Sequence, residues 1–399
     1  MATESQDRAE TIPDDQSIIV VSDLHLGLDG QEQVGAEFSK FLAFIGTLRP
    51  RVAPGDHPGV PVEGKVRKLY APDKIILLGD IVDLWSPRMN SRSSVLEDSY
   101  SVIQSLLALP AEIVYVAGNH DEEIAEVEGT FPKSVPGKLK VVKRHYPDNN
   151  IEENGTKRYS GIPVGDHRYF FMHGQQFDLM FKTAGLLQNY PGWVAKNYQL
   201  FRDNPNVMWF FRILFGFSLF YVLATLFLKI TTMFDGAIYI LLGFSLVIVL
   251  FSIEPGSFRA LWDFMSGRVK AKTETVKAII DDGFWKPQAG ESVRADVVVF
   301  GHTHVADDSK GVYLERYRKR FINSGSWGEE KTKTRDGTGE SETNTFVYID
   351  AAGPLLFRWP KGGPLPEHIR TTLTGDPVRA APPVSPIKLW MRRNLSTGG

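Results

Sequence analysis

Short apolar runs closed by turn residues recur along the chain: Ser17 to Ser22 (SIIVVS), Lys74 to Gly79 (KIILLG), Ile113 to Gly118 (IVYVAG), Arg168 to His173 (RYFFMH) and Asp296 to Gly301 (DVVVFG). Such runs, lacking polar alternation, predict strands buried on both faces. Between the first three, Val34 to Leu48 and Ser93 to Leu109 carry apolar residues at helical spacing. These are Phe38, Phe41, Leu42 and Ile45 in one segment and Leu96, Tyr100, Ile103 and Leu107 in the other. Strand, helix, strand, helix, strand predicts a layered α/β core. Phe321 to Asn323, Thr345 to Ile349 and Leu355 to Trp359 predict late strands. Arg51 to Gly64, rich in Pro and Gly, reads as a surface insertion, and Glu329 to Asn344 as a polar loop.

The pattern changes between Val207 and Ile253, where the only charged side chains are Arg212, Lys229 and Asp235. Ile213 to Leu228 is 16 uncharged residues and Gly236 to Ile253 is 18. At a helical rise of about 1.5 Å per residue, the longer stretch covers about 27 Å, close to the hydrocarbon thickness of a bilayer. Two such segments in succession predict a transmembrane hairpin; a pair of buried core helices, or a cap dipping into one leaflet, is the competing reading. The opening MATESQDRAETIPDDQ is acidic and lacks an apolar stretch, so no secretory signal is expected there.

Composition narrows the chemistry. The 399 residues suffice for two to three domains, or one large domain with insertions. Forty-five Lys and Arg against 47 Asp and Glu leave a net charge of -2, which argues against a nucleic-acid coat. With Cys at 0, disulfides, thiolate metal ligands and a thiol nucleophile are excluded. The expected organisation is a flexible stretch 1–16, the first part of a catalytic domain at 17–190 and a helical insertion at 191–275 containing the hairpin at 207–253. The second part of the catalytic domain follows at 276–362, and a Pro-rich tail at 363–399.

Five polar clusters sit at the ends of the apolar runs: Asp23-Leu24-His25, Gly79-Asp80 with Asp83, Gly118-Asn119-His120-Asp121, His173-Gly174 and Gly301-His302-Thr303-His304. Open α/β folds build their sites at the ends of parallel strands, so distant positions are gathered at one edge. Carboxylate, imidazole and an Asn carbonyl, without thiolate, suit Mn, Fe, Zn or Mg. A single such cluster is more often a turn and helix cap than a ligand pair; their joint order points to a metal site.

In this order of motifs the chain resembles the calcineurin-like metallophosphoesterases, over about Ile18 to Asp178 and Ala295 to Trp327. SDLHLG, GDIVDLW, HGQQFD and GHTH are most similar to the UDP-2,3-diacylglucosamine diphosphatase branch, although that branch usually has Arg where this chain has His120 and Asp where it has Gln175. The resemblance implies a four-layer αββα sandwich and a metal-dependent hydrolase. It assigns Asp23, His25, Asp80 and His304 to one metal and Asp80, Asn119, His173 and His302 to a second, with Asp80 bridging. The ions would be divalent, Mn first among Mn, Fe, Zn and Mg. His120 is the expected catalytic group, stabilising the transferred phosphoryl or protonating the leaving group, with a role in orienting ligands as the alternative.

Asp83, Trp85, Arg88 and Arg92 could contact a phosphate or base, or cap a helix and fill a surface; the second reading is favoured for Asp83 and Trp85, and Arg88 and Arg92 are the candidate substrate contacts. The expected substrate is a phosphate-containing amphiphile drawn from membrane lipids, because the branch it resembles closes a lid over acyl chains in the interval where this chain has its hairpin. Ligands on both sides of the hairpin require an even number of crossings. Lys196 and Arg202 before it and Arg259, Arg268, Lys270 and Lys272 after it predict a cytoplasmic catalytic domain on a two-span membrane protein. A hydrolase of soluble phosphodiesters or nucleotides anchored by the same hairpin, and a non-catalytic scaffold, are the alternatives.

Overall fold

The computed structural model describes residues 16–28, 32–84, 92–127, 129–131, 139–148, 151–153, 156–175, 205–228, 291–308, 320–328 and 342–369, with positions 238 and 241–242. In chain order the elements begin with β1 (Ile18–Val21), α1 (Glu32–Thr47), β2 (Gly59–Val62), β3 (Lys65–Lys68), β4 (Lys74–Leu78), α2 (Arg92–Ala108) and β5 (Glu112–Val116). Strands β6 (Gly129–Phe131), β7 (Leu139–Val142), β8 (His145–Tyr146), β9 (Ile151–Glu153), β10 (Thr156–Tyr159), β11 (Ile162–Val164) and β12 (His167–Met172) follow. The chain continues through α3 (Pro205–Leu228), β13 (Glu291–Val293), β14 (Val297–Phe300), β15 (Asp307–Asp308), β16 (Arg320–Asn323), β17 (Thr345–Asp350), β18 (Gly353–Arg358) and β19 (Glu367–His368).

Two mixed sheets carry the core. The first has the order β19-β18-β17-β1-β4-β5-β7-β6, with β1, β4, β5 and β7 parallel and in register at Val21, Leu77, Tyr115 and Val141. The second runs β11-β12-β14-β16-β15, with β12, β14 and β16 parallel and Met172, Phe300 and Asn323 aligned. Alternation along each strand decides which way a residue faces. Ile18, Val20, Ile76, Leu78, Val114 and Val116 pack against Tyr169, Phe171, Val297 and Val299 of the second sheet. Their neighbours Ile19, Val21, Ile75, Leu77, Ile113 and Tyr115 face the other way, into a core with Phe38, Phe41, Leu42 and Ile45 of α1 and Val95, Val102 and Leu106 of α2.

The stack is thus helices, sheet, sheet. The helical fourth layer of the expected sandwich is not resolved into an element among the described residues. On the outer side of the second sheet, the rings of His145 and Tyr159 pack on Phe170.

Two readings of the pattern change. In α2, Leu96, Tyr100 and Ile103 are exposed, while the buried face is Val95, Ser99, Val102 and Leu106, one position earlier. Ser99 joins that face because its hydroxyl donates to Val95 O at 2.6 Å, so no polar group is left unsatisfied. The expected surface insertion ends in the first strand and turn of an antiparallel hairpin, β2–β3, which turns on Glu63 and Gly64 at φ 49° and 80°, the two left-handed positions of a tight hairpin turn, and returns through β3 beyond it.

Of the expected membrane hairpin, α3 covers the first segment and exposes Trp209, Phe210, Ile213, Phe217, Phe220 and Leu223. No helix among the described residues is long and apolar enough to cross a membrane. The second segment lies almost wholly outside the described residues.

Candidate metal centre

All five motif clusters follow the carboxyl end of a parallel strand. Asp23 and His25 come after β1, Asp80 and Asp83 after β4, Asn119 and His120 after β5, His173 after β12, and His302 and His304 after β14. Backbone hydrogen bonds stitch these loops together. Asp23 N donates to Gly79 O at 3.0 Å, His25 N to Asp80 O at 2.9 Å, and Gly301 N to His173 O at 3.0 Å. Across the two sheets, His302 N donates to Asp23 Oδ2 at 3.0 Å.

Fitting the loops so closely requires unusual backbone. Asp23, His25, Asp80, His302 and His304 all have φ between 47° and 68°, a region costly for residues with a Cβ; the other two such non-glycine residues described are Glu63 and Asn344. Glycines permit the close approach. A Cβ on Gly79, at φ 80°, would lie 2.3 Å from His173 Nδ1, and one on Gly118 would lie 2.2 Å from Asp80 Oδ1.

The side chains form two facing groups of ligand atoms, Asp23 with His25 and His304, and Asp80 with His173 and His302. His304 Nε2 is 3.1 Å from Asp23 Oδ1, His25 Nε2 is 3.3 Å from His304 Nε2, and His173 Nε2 is 3.1 Å from Asp80 Oδ2. Asp80 Oδ2 also lies 4.0 Å from His25 Nε2, so it stands between the groups. His173 Nδ1 donates to Leu78 O at 2.8 Å, which fixes the tautomer and turns Nε2 inward.

A third group, His25, Asp83 and His120, has a different character. Asp83 Oδ2 lies 3.2 Å from His25 Nδ1 and 2.9 Å from His120 Nδ1, so this carboxylate orients two imidazoles by their rear nitrogens. Asp83 is therefore a part of the site, not the helix cap expected from sequence. Its spacing after Asp80 was the available signal. Arg88 and Trp85 lie outside the described residues. Arg92 is the first residue of α2, with no side chain described.

Electrostatics favour positive charge here. Burial works against a charged imidazole at His173, but Asp80 and Asp23 outweigh it and push the group up to about 10. His25 is likewise raised, with burial overcome by Asp83 and Asp80. Burial would raise the carboxyls of Asp23, Asp80 and Asp83, yet the surrounding imidazoles hold all three below the usual carboxylate range. Asp23 Oδ1, Asn119 Oδ1 and His173 Nε2 are buried without an aligned hydrogen-bond partner. Unspent lone pairs on a carboxylate and an amide oxygen, beside an imidazole nitrogen without an aligned partner, in a site that draws in positive charge, fit divalent cations.

A family model described as calcineurin-like phosphoesterase matches residues 17–216. The chain belongs to the calcineurin-like phosphoesterase family. It is a metal-dependent phosphoester hydrolase, and its buried His and Asp groups are suited to divalent metal. The phosphoesterase match ends inside α3, so His302 and His304 fall beyond it; the parallel pairing of β12 with β14 brings them to the site. Among curated proteins, none matches the chain.

Proposed function

We propose that the protein is a dinuclear hydrolase that cleaves a phosphoester or pyrophosphate bond of an amphiphilic, lipid-linked substrate, of the UDP-diacylglucosamine kind, at a membrane. The observation that carries the dinuclear reading is Asp80 Oδ2, within 4.0 Å of an imidazole from each ligand group. Asp23, His25, Asp80 and His304 would hold one ion, and Asp80, Asn119, His173 and His302 the other, with manganese as the leading candidate metal. When bound, such ions polarise a phosphoryl oxygen and make water nucleophilic near neutral pH.

The chain's own groups supply orientation and proton movement. Asp83 accepts from the Nδ1 side of His120, leaving Nε2 as the nitrogen that exchanges a proton with the leaving oxygen. His120 keeps 21% of its side chain accessible while Asp83 behind it keeps 1%, as befits a group that meets substrate over a buried anchor. His120 N also donates to Asp80 Oδ1 at 2.8 Å, tying the proton donor to the shared carboxylate.

The lipid-linked substrate and the membrane rest on the apolar face of α3 and on the two uncharged segments of sequence. Trp209 and Arg212 stack near the start of α3, an amphipathic pair suited to a membrane interface. A lipid held there presents its head group to a catalytic domain on the cytoplasmic side. The second reading, a hydrolase of soluble phosphodiesters or nucleotides anchored by the same hairpin, requires no lipid beside the metals. Purified protein with manganese should be compared on a nucleotide-diphosphate lipid, a simple diester and a monoester. A clear preference for the lipid-linked diphosphate is expected. Equal turnover of the soluble diester would replace this reading with the second one, and recovery of the intact protein from cells without detergent would remove the membrane from both.

A further inference from the structure

We propose that Tyr115, acting through Asp121, is a positioning residue that sets the spacing of the loops bearing Asp80 and Asn119; the inference rests on the metal reading above. Neither residue belongs to a ligand group, and both are buried, Asp121 at 0% and Tyr115 at 8% exposed. A carboxylate at that depth is costly unless it is fully hydrogen-bonded. Asp121 is. Its Oδ1 accepts from Gly118 N at 2.6 Å, and its Oδ2 accepts from Ile81 N at 2.8 Å and from the Tyr115 hydroxyl at 2.6 Å.

These bonds form a crossed latch between adjacent strand ends. β4 and β5 lie parallel, with Leu78 opposite Val116, and each is followed by a ligand-bearing loop. From the β4 loop, Asp80 Oδ1 accepts from His120 N of the β5 loop; from the β5 loop, Asp121 accepts from Ile81 N of the β4 loop. Each carboxylate thus grips the backbone next to the other. The loops close so tightly at this point that a Cβ on Gly118 would meet Asp80 Oδ1 at 2.2 Å. A small rotation of Asp121 would therefore move Asp80 and Asn119 together.

Tyr115 restrains that rotation. Its ring is part of the core between the first sheet and the helices, and its hydroxyl is the one side-chain donor to Asp121 among the described residues. The hydroxyl couples rigid core packing to loop geometry, where the two amide donors alone move with the loops they hold. Groups that orient metal ligands from behind typically change metal affinity by about 10- to 100-fold when removed.

The test is manganese binding to the metal-free full-length protein, followed by calorimetry or by the spin-resonance signal of free manganese, with no substrate present. Wild type, Tyr115→Phe, Asp121→Asn and the double variant are compared. Tyr348→Phe serves as a control, since it removes another buried hydroxyl, one that accepts from Tyr70 N at 3.0 Å, from the same helix-side core. Tyr115→Phe, which keeps the ring and its packing, should weaken manganese binding about 10-fold or more with an intact circular dichroism spectrum. Tyr348→Phe should leave it unchanged. The double variant should bind no more weakly than Asp121→Asn alone, because the hydroxyl acts through that carboxylate. Wild-type affinity in Tyr115→Phe, an equal loss in Tyr348→Phe, or additive losses in the double variant would overturn the proposal. A wild-type protein that takes up no manganese would overturn the metal reading itself, and this inference with it.

Discussion

At the scale of single residues, the division of labour around Asp83 makes a sharp prediction. His120 is anchored from behind by Asp83 and stays partly accessible, so His120→Gln should lower turnover by about 10²- to 10⁴-fold while metal content stays at the wild-type level. Loss of metal together with activity would instead make His120 a support for the ligands. The motif residues were legible in the sequence because each follows directly on an apolar run. Asp83 was visible but misread, since a carboxylate three positions after another looks like a helix cap until His25 and His120 are found on either side of it. Tyr115 carried no signal, because a Tyr in the middle of a strand is ordinary core.

His145 gives a residue-scale prediction outside the site. Burial against Tyr159 and Phe170 pushes its pKa down to about 4, so the native state leaves it neutral over a range in which the unfolded chain, with an ordinary value of about 6.5, binds a proton. The unfolded state holds more protons between those values. Stability therefore falls as pH drops through that window, by at most about 1.4 kcal/mol per pH unit from this group. Urea denaturation at pH 7.5, 6 and 5 should show a shallower fall for His145→Gln than for wild type. Parallel curves would mean that His145 is not the group responsible.

At the scale of elements, α2 shows where periodicity stops deciding. Its sequence holds two apolar stripes one residue apart, Val95, Val102 and Leu106 and then Leu96, Tyr100 and Ile103, and helical spacing fits both. The choice is made by the sheet beneath, which accepts the stripe able to interdigitate with α1 and bury Ser99 with its hydroxyl satisfied. Leu106→Ala should therefore cost about 2–5 kcal/mol in urea denaturation, as for a buried leucine. Leu96→Ala, at a position 70% exposed, should change stability by no more than about 0.5 kcal/mol. Comparable losses would show that α2 is turned the other way. The strands raised no such ambiguity, because a run that is apolar at every position is buried whichever way its register falls. The β2–β3 hairpin escaped notice because its residues alternate weakly and all of its strand residues but Val60 are exposed or partly exposed.

At the scale of the whole molecule, ligands drawn from strand ends in both halves of the chain meet between two facing sheets, and the interruption between β12 and β13 leaves that meeting intact. The pairing of β12 with β14 across more than a hundred residues could not be read from local pattern, yet the order of the motifs already demanded it. One site built from two sheets, with Asp80 at the seam, is the central claim. It is tested most directly by measuring metal content and turnover together in wild type and Asp80→Ala. The wild type should hold two divalent ions per chain, and Asp80→Ala should hold at most one and lose hydrolysis. An Asp80→Ala protein that keeps two ions and a near-normal rate would contradict the account.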